Sequence, residues 1–305
     1  MQVINYPEKN GVAYFKNHAS LISELILSVF KLCKNNERVN KLISIGFDTR
    51  EDSEKLANSC AKILSENGIK INISKESIPT PVLKYFTSYS KSFIGIMITG
   101  GALKSGWNGF KLYDSNSEAL QVSNNIVIEF NKSITNGEII ISDMLKNYLE
   151  YIKSVINLEI IGNYGKTHES TESILIDSMG GTGKTIIEDI VNEQGWRVQT
   201  LFGGSLNSFY DRTPEISIQQ IEPISYNVNV TDAIIGLMLN GDCSEAGIVN
   251  EEGNFIPKNK ISELINNYYK PKSDDILNNI LQDGILSSLI ILEIICKKGK
   301  DILNK

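Results

Sequence analysis

The chain has 305 residues, 41% of them hydrophobic and 22% charged, with a formal net charge of -6. That length fits two or more domains of ordinary size. The acidic balance argues against nucleic acid as a partner, since its binding needs clustered Lys and Arg.

The amino terminus, Met-Gln-Val-Ile-Asn-Tyr-Pro, has no basic segment followed by an apolar core, so a cytoplasmic protein without a secretory signal is expected. Residues 42–47, LISIGF, read as a buried strand ending at the turn DTR. A helix follows, with Asp52 or Ser53 as N-cap and Leu56, Ala57, Cys60, Ala61 and Leu64 on one face, stopping at Gly68. Next come the strand IKINIS, the turn IPTP, a helix to about Ser90 and the strand FIGIMIT. This alternation predicts an α/β layer domain. Residues 98–113, ITGGALKSGWNGFKLY, form a glycine-rich loop between two apolar strands, a place where enzymes commonly carry their reacting groups.

A polar helical segment over about Ser142–Val155 leads into a second cycle: strand SILIDS, loop MGGTGKT, helix TIIEDIVNEQG, strand RVQTLF, a loop around FYDRTPE, a helical stretch near Thr231, and strand IIGLMLN. After Pro257 the pattern is helical only, ISELINNYY and GILSSLIILEIICKKG. The apolar run Ile285–Cys296 is too short to span a membrane and contains Glu293. The four cysteines, Cys33, Cys60, Cys243 and Cys296, have no paired spacing, which argues against disulfides or zinc. His18 and His168 sit far apart among polar residues and are not expected to be catalytic.

Two loops invite chemical readings. The Gly-Lys-Thr of residues 183–185 lacks the glycine that a phosphate-binding loop needs at position 178, which is Ser178. What remains is a glycine-rich packing turn, or a nonspecific anion site at Gly181, Gly183 and Lys184. In the stretch 240–245, Asn240, Asp242 and Ser244 fall in phase on an extended loop, but one carboxylate with neutral neighbours makes a poor divalent-cation site.

IGFDTRE, IPTPVL, GIMITGG with WNGFKLY, LIDSMGGTG, FYDRTPE, IIGLMLNGD with GIVNEEGNF, and DGILSSLIILEIICKKGK occur in one order along the chain. Together they resemble the α-D-phosphohexomutases: phosphoglucomutases, phosphomannomutases and phosphoglucosamine mutases. The resemblance implies two α/β/α sandwich domains with mixed sheets, 1–140 and 141–256, followed by a helical remnant of a third domain, 257–305. The strands carrying the family's sugar-recognition loop and its fourth, phosphate-clamping domain are not recognised in this sequence. It further implies that 98–111 is the phosphoserine loop and 240–245 the metal loop.

The departures fall on the chemistry. Where the family reads Thr-Ala-Ser-His-Asn-Pro, Thr99 is kept but Gly101 holds the serine position, Ala102 the histidine, Leu103 the asparagine and Lys104 the proline. Asn108, Gly109, Phe110 and Lys111 match, and Arg50 is retained. The family's Asp-Gly-Asp-Ala-Asp-Arg is here Asn240 to Glu245, so the Mg²⁺ site is expected to be lost and no cofactor is expected. The N-terminal Ser-Gly-Ile-Arg-Gly is reduced to Asn10, Gly11 and Val12, with Ala13 in place of arginine.

The resulting expectation is a non-catalytic, phosphohexomutase-like protein that acts through a protein partner or homodimer, or by sensing a sugar phosphate. The alternatives are altered phosphosugar chemistry in a cleft lined by Arg50, Lys104, Ser105, Lys111 and Asp242, or a subunit complementing an intact homologue. Leu289, Ile291, Leu292 and Ile295 are expected to leave one helix face uncovered and to form an interface, the alternative being that the two tail helices simply fold onto the second domain.

Overall fold

The computed structural model describes residues 41–120, 136–168, 172–231 and 233–304, the backbone of Ala13–Phe15, and positions 22, 25, 26 and 29. His18, Cys33 and Asn10–Val12 lie outside these residues. The chain divides into two compact units, one containing the residues up to Gly101 and Ser105–Tyr148, the other containing Leu149–Lys305.

In the first unit, β1 (Ala13–Phe15), β2 (Leu42–Phe47), β3 (Lys70–Ser74), β4 (Ile94–Ile98), β5 (Asn108–Asp114), β6 (Ala119–Leu120) and β7 (Ile139–Ser142) form one mixed sheet. Its order is β1-β5-β4-β2-β3-β7, with β6 paired to β5. β4, β2, β3 and β7 run parallel, while β5 is antiparallel to both β4 and β1. The helices α1 (Ser53–Glu66) and α2 (Thr80–Tyr89) supply the crossovers. The face of α1 read from the sequence is the buried one: Leu56, Ala57, Cys60, Ala61 and Leu64 pack with Ile43, Ile45, Ile71, Ile96 and Phe110. Asp52 does precede α1, but in a left-handed conformation (φ 65°) and without a side-chain capping bond. The edge strand β7 is not legible in the sequence, because Ile139, Ile140 and Ile141 show no alternation and are all exposed.

The second unit begins within α3 (Met144–Val155) and continues through α4 (Leu158–His168), β8 (Ser173–Asp177), α5 (Ile186–Asn192), β9 (Val198–Leu201), α6 (Glu222–Asn229), β10 (Ala233–Leu239), β11 (Ala246–Asn250) and β12 (Phe255–Ile256). The sheet order is β12-β11-β10-β8-β9. The helix expected near Thr231 lies earlier, at α6, where Pro223 stands in its first turn. His168 is a stacking partner, 4.1 Å from the Tyr164 ring centroid, and Trp196 stacks on the same tyrosine at 5.5 Å.

The two units repeat one pattern. β3-β2-β4-β5 and β9-β8-β10-β11 have the same order and the same directions, three parallel strands and then an antiparallel one. The loops after β4 (99–107) and after β10 (240–245) are therefore equivalent connections, both at the carboxyl ends of the parallel strands. In open α/β sheets, ligands bind at those ends.

The block after Pro257 forms α7 (Lys258–Tyr269), α8 (Asp274–Leu281) and α9 (Gly284–Lys298), and it belongs to the second unit rather than standing apart. α9 packs on α4, α7, α8 and β11. Leu289, Ile291, Leu292 and Ile295 are fully buried there, so the uncovered face expected for them is absent: their own unit covers it. Glu293, an acid within this apolar helix, is buried with three donors on its carboxylate: Tyr268 Oη at 2.9 Å, Tyr269 Oη at 3.0 Å and the Asn157 backbone N–H at 2.9 Å. Among the described residues no single helix is long and apolar enough to cross a membrane.

Candidate functional site

The loop after β4 is organised by a residue that sequence reasoning quoted but did not single out. Asp48 follows the buried strand β2 and is itself buried. One carboxylate oxygen accepts the Arg50 backbone N–H at 3.0 Å and the Ser53 hydroxyl at 2.7 Å. The other accepts Arg50 Nε at 3.0 Å and the Thr99 hydroxyl at 2.7 Å. The Arg50 guanidinium then spans the loop, donating from Nη2 to the Gly101 carbonyl at 2.9 Å and from Nη1 to the Trp107 carbonyl at 3.1 Å. Thr99 accepts the Gly101 N–H at 2.9 Å, and Asn108 Nδ2 donates to Ser53 at 2.8 Å. Both ends of the loop are thus tied to one buried ion pair.

Position 101 has a left-handed backbone (φ 56°), which a serine adopts only at a cost of about 1–2 kcal/mol. Ala102 is partly buried, and Lys104 and Ser105 are exposed. Lys111 lies on β5 between the core residues Phe110 and Leu112, so it projects to the opposite face, where it is buried. Gly100 supports the Arg50 guanidinium: a Cβ there would come within 2.6 Å of Arg50 Cζ and 2.9 Å of the Trp107 carbonyl oxygen. Gly100→Ala is therefore expected to lower stability by about 1–3 kcal/mol, as overpacking does. A denaturation midpoint equal to wild type would show that Arg50 does not hold this position.

In the second unit the equivalent strand end carries Asp177, which accepts the Met179 N–H at 2.8 Å and Arg212 Nη1 at 2.8 Å. Burial pushes the Asp177 carboxyl above its ordinary range, and Arg212 opposes that shift. Arg212 also stacks over Phe202, 5.0 Å from the ring centroid. Three consecutive residues before it, Phe209, Tyr210 and Asp211, are left-handed.

The glycine loop 178–185 turns its amides inward. Gly180 N–H donates to Phe202 O, Gly181 N–H to Ser178 O and Thr182 N–H to Gly241 O. Of the three residues expected as an anion site, Gly181 spends its amide on Ser178 O, and Gly181 and Gly183 pack closely against Gly241, Leu239 and Cys243; the helix that follows has only seven residues.

In the loop 240–245, Asn240 and Asp242 are buried. Ser244 Oγ donates to Asp242 Oδ1 at 2.7 Å, and Asn240 Nδ2 lies 3.3 Å from the same oxygen and 3.2 Å from Ser244 Oγ. Glu245 points away to Lys258, 2.9 Å from its Nζ. The three in-phase positions do converge, but on one another: an amide N–H₂ and a hydroxyl donate where a cation would require acceptors. The residues present do not fit a divalent ion, and among the described residues no group of three His, Cys, Asp or Glu side chains could hold a metal.

Residues 7–136 match the family model for phosphoglucomutase/phosphomannomutase, alpha/beta/alpha domain I. Among curated proteins, the chain is 25% identical over 243 residues to a phosphoglucomutase/phosphomannomutase of Thermococcus kodakarensis, covering 77% of this chain and 52% of that protein. It is 27% identical over 255 residues to a protein named "Probable phosphoglucosamine mutase" of Methanosphaera stadtmanae, covering 82% and 56%. The chain spans about half the length of these relatives. Among solved structures, the phosphoglucomutase pp63/parafusin of Paramecium, in its open form, superposes with a TM-score of 0.77 at 13% identity, covering 98% of this chain and 72% of that one.

Proposed function

Because the chain belongs to the α-D-phosphohexomutase family, we propose that it recognises a hexose phosphate without performing the family's phosphoryl transfer. The observation that carries this reading is Gly101. A mutase moves a phosphoryl group between an enzyme hydroxyl and the sugar, with a metal to neutralise charge and clamps to orient the substrate. At the hydroxyl's position this chain has no side chain, and its backbone is closed by Thr99 and Arg50. The loop 240–245 lacks the donors for a metal, and no cofactor enters the proposal. The protein then acts as a sensor, or through a protein partner or second copy, and any such surface lies elsewhere than on the buried face of α9.

A second reading is altered phosphosugar chemistry, alone or as a subunit complementing an intact homologue. The names of the relatives support it at least as well, since all those cited are mutases, and Lys111 and Arg50 are retained. Thermal unfolding of the whole chain with glucose, mannose and glucosamine phosphates tests the shared premise. A hexose phosphate at ~100 times its Kd is expected to add about 2.7 kcal/mol of stability, whereas the free sugar adds none. No shift with any of the three phosphates at millimolar concentration would contradict phosphosugar recognition itself.

A further inference from the structure

We propose that the loop 240–245 is rebuilt as a cation-free lock, in which an amide and a hydroxyl turn their hydrogens on Asp242 and the N-terminus of α9 holds a loop carbonyl, in place of a bound ion. A hard divalent cation needs about six oxygen ligands, and the backbone carbonyls of Asn240, Gly241, Cys243 and Glu245 already accept hydrogen bonds. The Asn240 carbonyl accepts the Cys243 N–H at 3.0 Å, and the Gly241 carbonyl accepts the Thr182 N–H at 3.0 Å and its hydroxyl at 3.2 Å. The Cys243 carbonyl accepts the Gly284 N–H at 2.8 Å, and the Glu245 carbonyl accepts the Asn240 N–H at 3.2 Å. The orientation of the Asn240 amide is fixed by its partners. Its oxygen accepts the Glu245 N–H at 3.0 Å, so its nitrogen must face Asp242 and Ser244. Reversing the amide would set N–H₂ against N–H at one end.

The bond from Gly284 places the first turn of a buried 15-residue helix directly against this turn. A Cβ on Gly284 would lie 2.7 Å from the Glu245 carbonyl oxygen and 2.9 Å from that of Cys243. The N-terminus of a helix carries a partial positive charge, and its free N–H groups favour electronegative neighbours. The acid preceding it, Asp283, caps the helix by accepting the Leu286 N–H at 2.9 Å. The lock therefore couples the loop to α9, the helix that closes the core of the second unit.

The test is thermal unfolding of the whole chain and two variants in EDTA, in millimolar Mg²⁺ and in millimolar Mn²⁺. Wild type is expected to melt at one temperature in all three. Asn240→Asp removes the inward donor and sets two carboxylates together, so in EDTA it should melt roughly 4 °C lower, as a loss of one to two kcal/mol does in a protein of this size, and Mg²⁺ should recover part of that loss. Ser244→Ala should melt lower by a smaller amount, equally with and without metal. A wild-type midpoint that is higher in Mg²⁺ or Mn²⁺ than in EDTA, or an Asn240→Asp variant as stable as wild type in EDTA, would overturn the proposal. Neither result depends on whether a hexose phosphate binds, so failure here is distinguishable from failure of the functional reading.

Discussion

Ile291→Asp is expected to unfold the second unit rather than to release a partner. Ile291 is fully buried in α9, among Leu289, Ile290, Leu292, Ile294 and Ile295. Replacing it forfeits the packing of a core isoleucine, about 2–5 kcal/mol. It also places a carboxyl in an apolar interior where it must be desolvated or protonated. Together these reach at least about 5 kcal/mol, comparable with the whole stability of an ordinary domain. Circular dichroism and urea titration should show loss of the cooperative transition for the second unit. Ile291→Val, by contrast, should cost only about 1 kcal/mol. A folded Ile291→Asp protein with altered oligomeric state would restore α9 as an association surface.

Asp48→Ala is the second large effect. Asp48 and Arg50 form an ion pair with side chains only 1% and 3% exposed, and the Asp48 carboxylate takes four hydrogen bonds. Removing the acid leaves the Arg50 charge buried, along with the Ser53 and Thr99 hydroxyls it held, at a cost of about 3–5 kcal/mol. The expected signature is a lower urea midpoint with an unchanged slope. Because Arg50 also holds the Gly101 and Trp107 carbonyls, amide exchange should rise in the loop at 99–109. A stability change below about 1 kcal/mol would mean that the pair does not organise this loop.

Much of this architecture is written in the sequence because it depends on periodicity. β2, β4, β8 and β10 are runs of buried apolar residues, and α1 shows a clear 3.6-residue face. The fold was legible further through the ordered motifs, each a strand end joined to a turn. β7 escaped because three successive isoleucines have no period, and α4 because Gly162 and Gly165 dilute its apolar stripe. The burial of α9 against its own unit was one of two outcomes that the sequence left open. A helix apolar all round must be covered, but which element covers it is a tertiary fact. In the candidate site, the residue types at 101, 240, 242 and 244 were readable directly. The Asp48–Arg50 lattice was not, since it depends on segments distant in sequence meeting at strand ends, and the inward amide of Asn240 was not, since it depends on the turn its own loop makes between Asn240 and Glu245.

The central proposal is that this chain, although similar to proteins named as mutases, does not itself transfer a phosphoryl group. The most direct measurement is a coupled mutase assay on glucose, mannose and glucosamine phosphates, with Mg²⁺ and a hexose bisphosphate, paired with intact-mass analysis of the same protein. The account predicts no turnover, no phosphate on residues 99–105, and no gain of activity in Gly101→Ser, because the loop 240–245 would still lack its metal donors. Turnover above about 1 s⁻¹, within the ordinary range for enzymes, or a phosphoryl group found on Thr99 or Ser105, would contradict it.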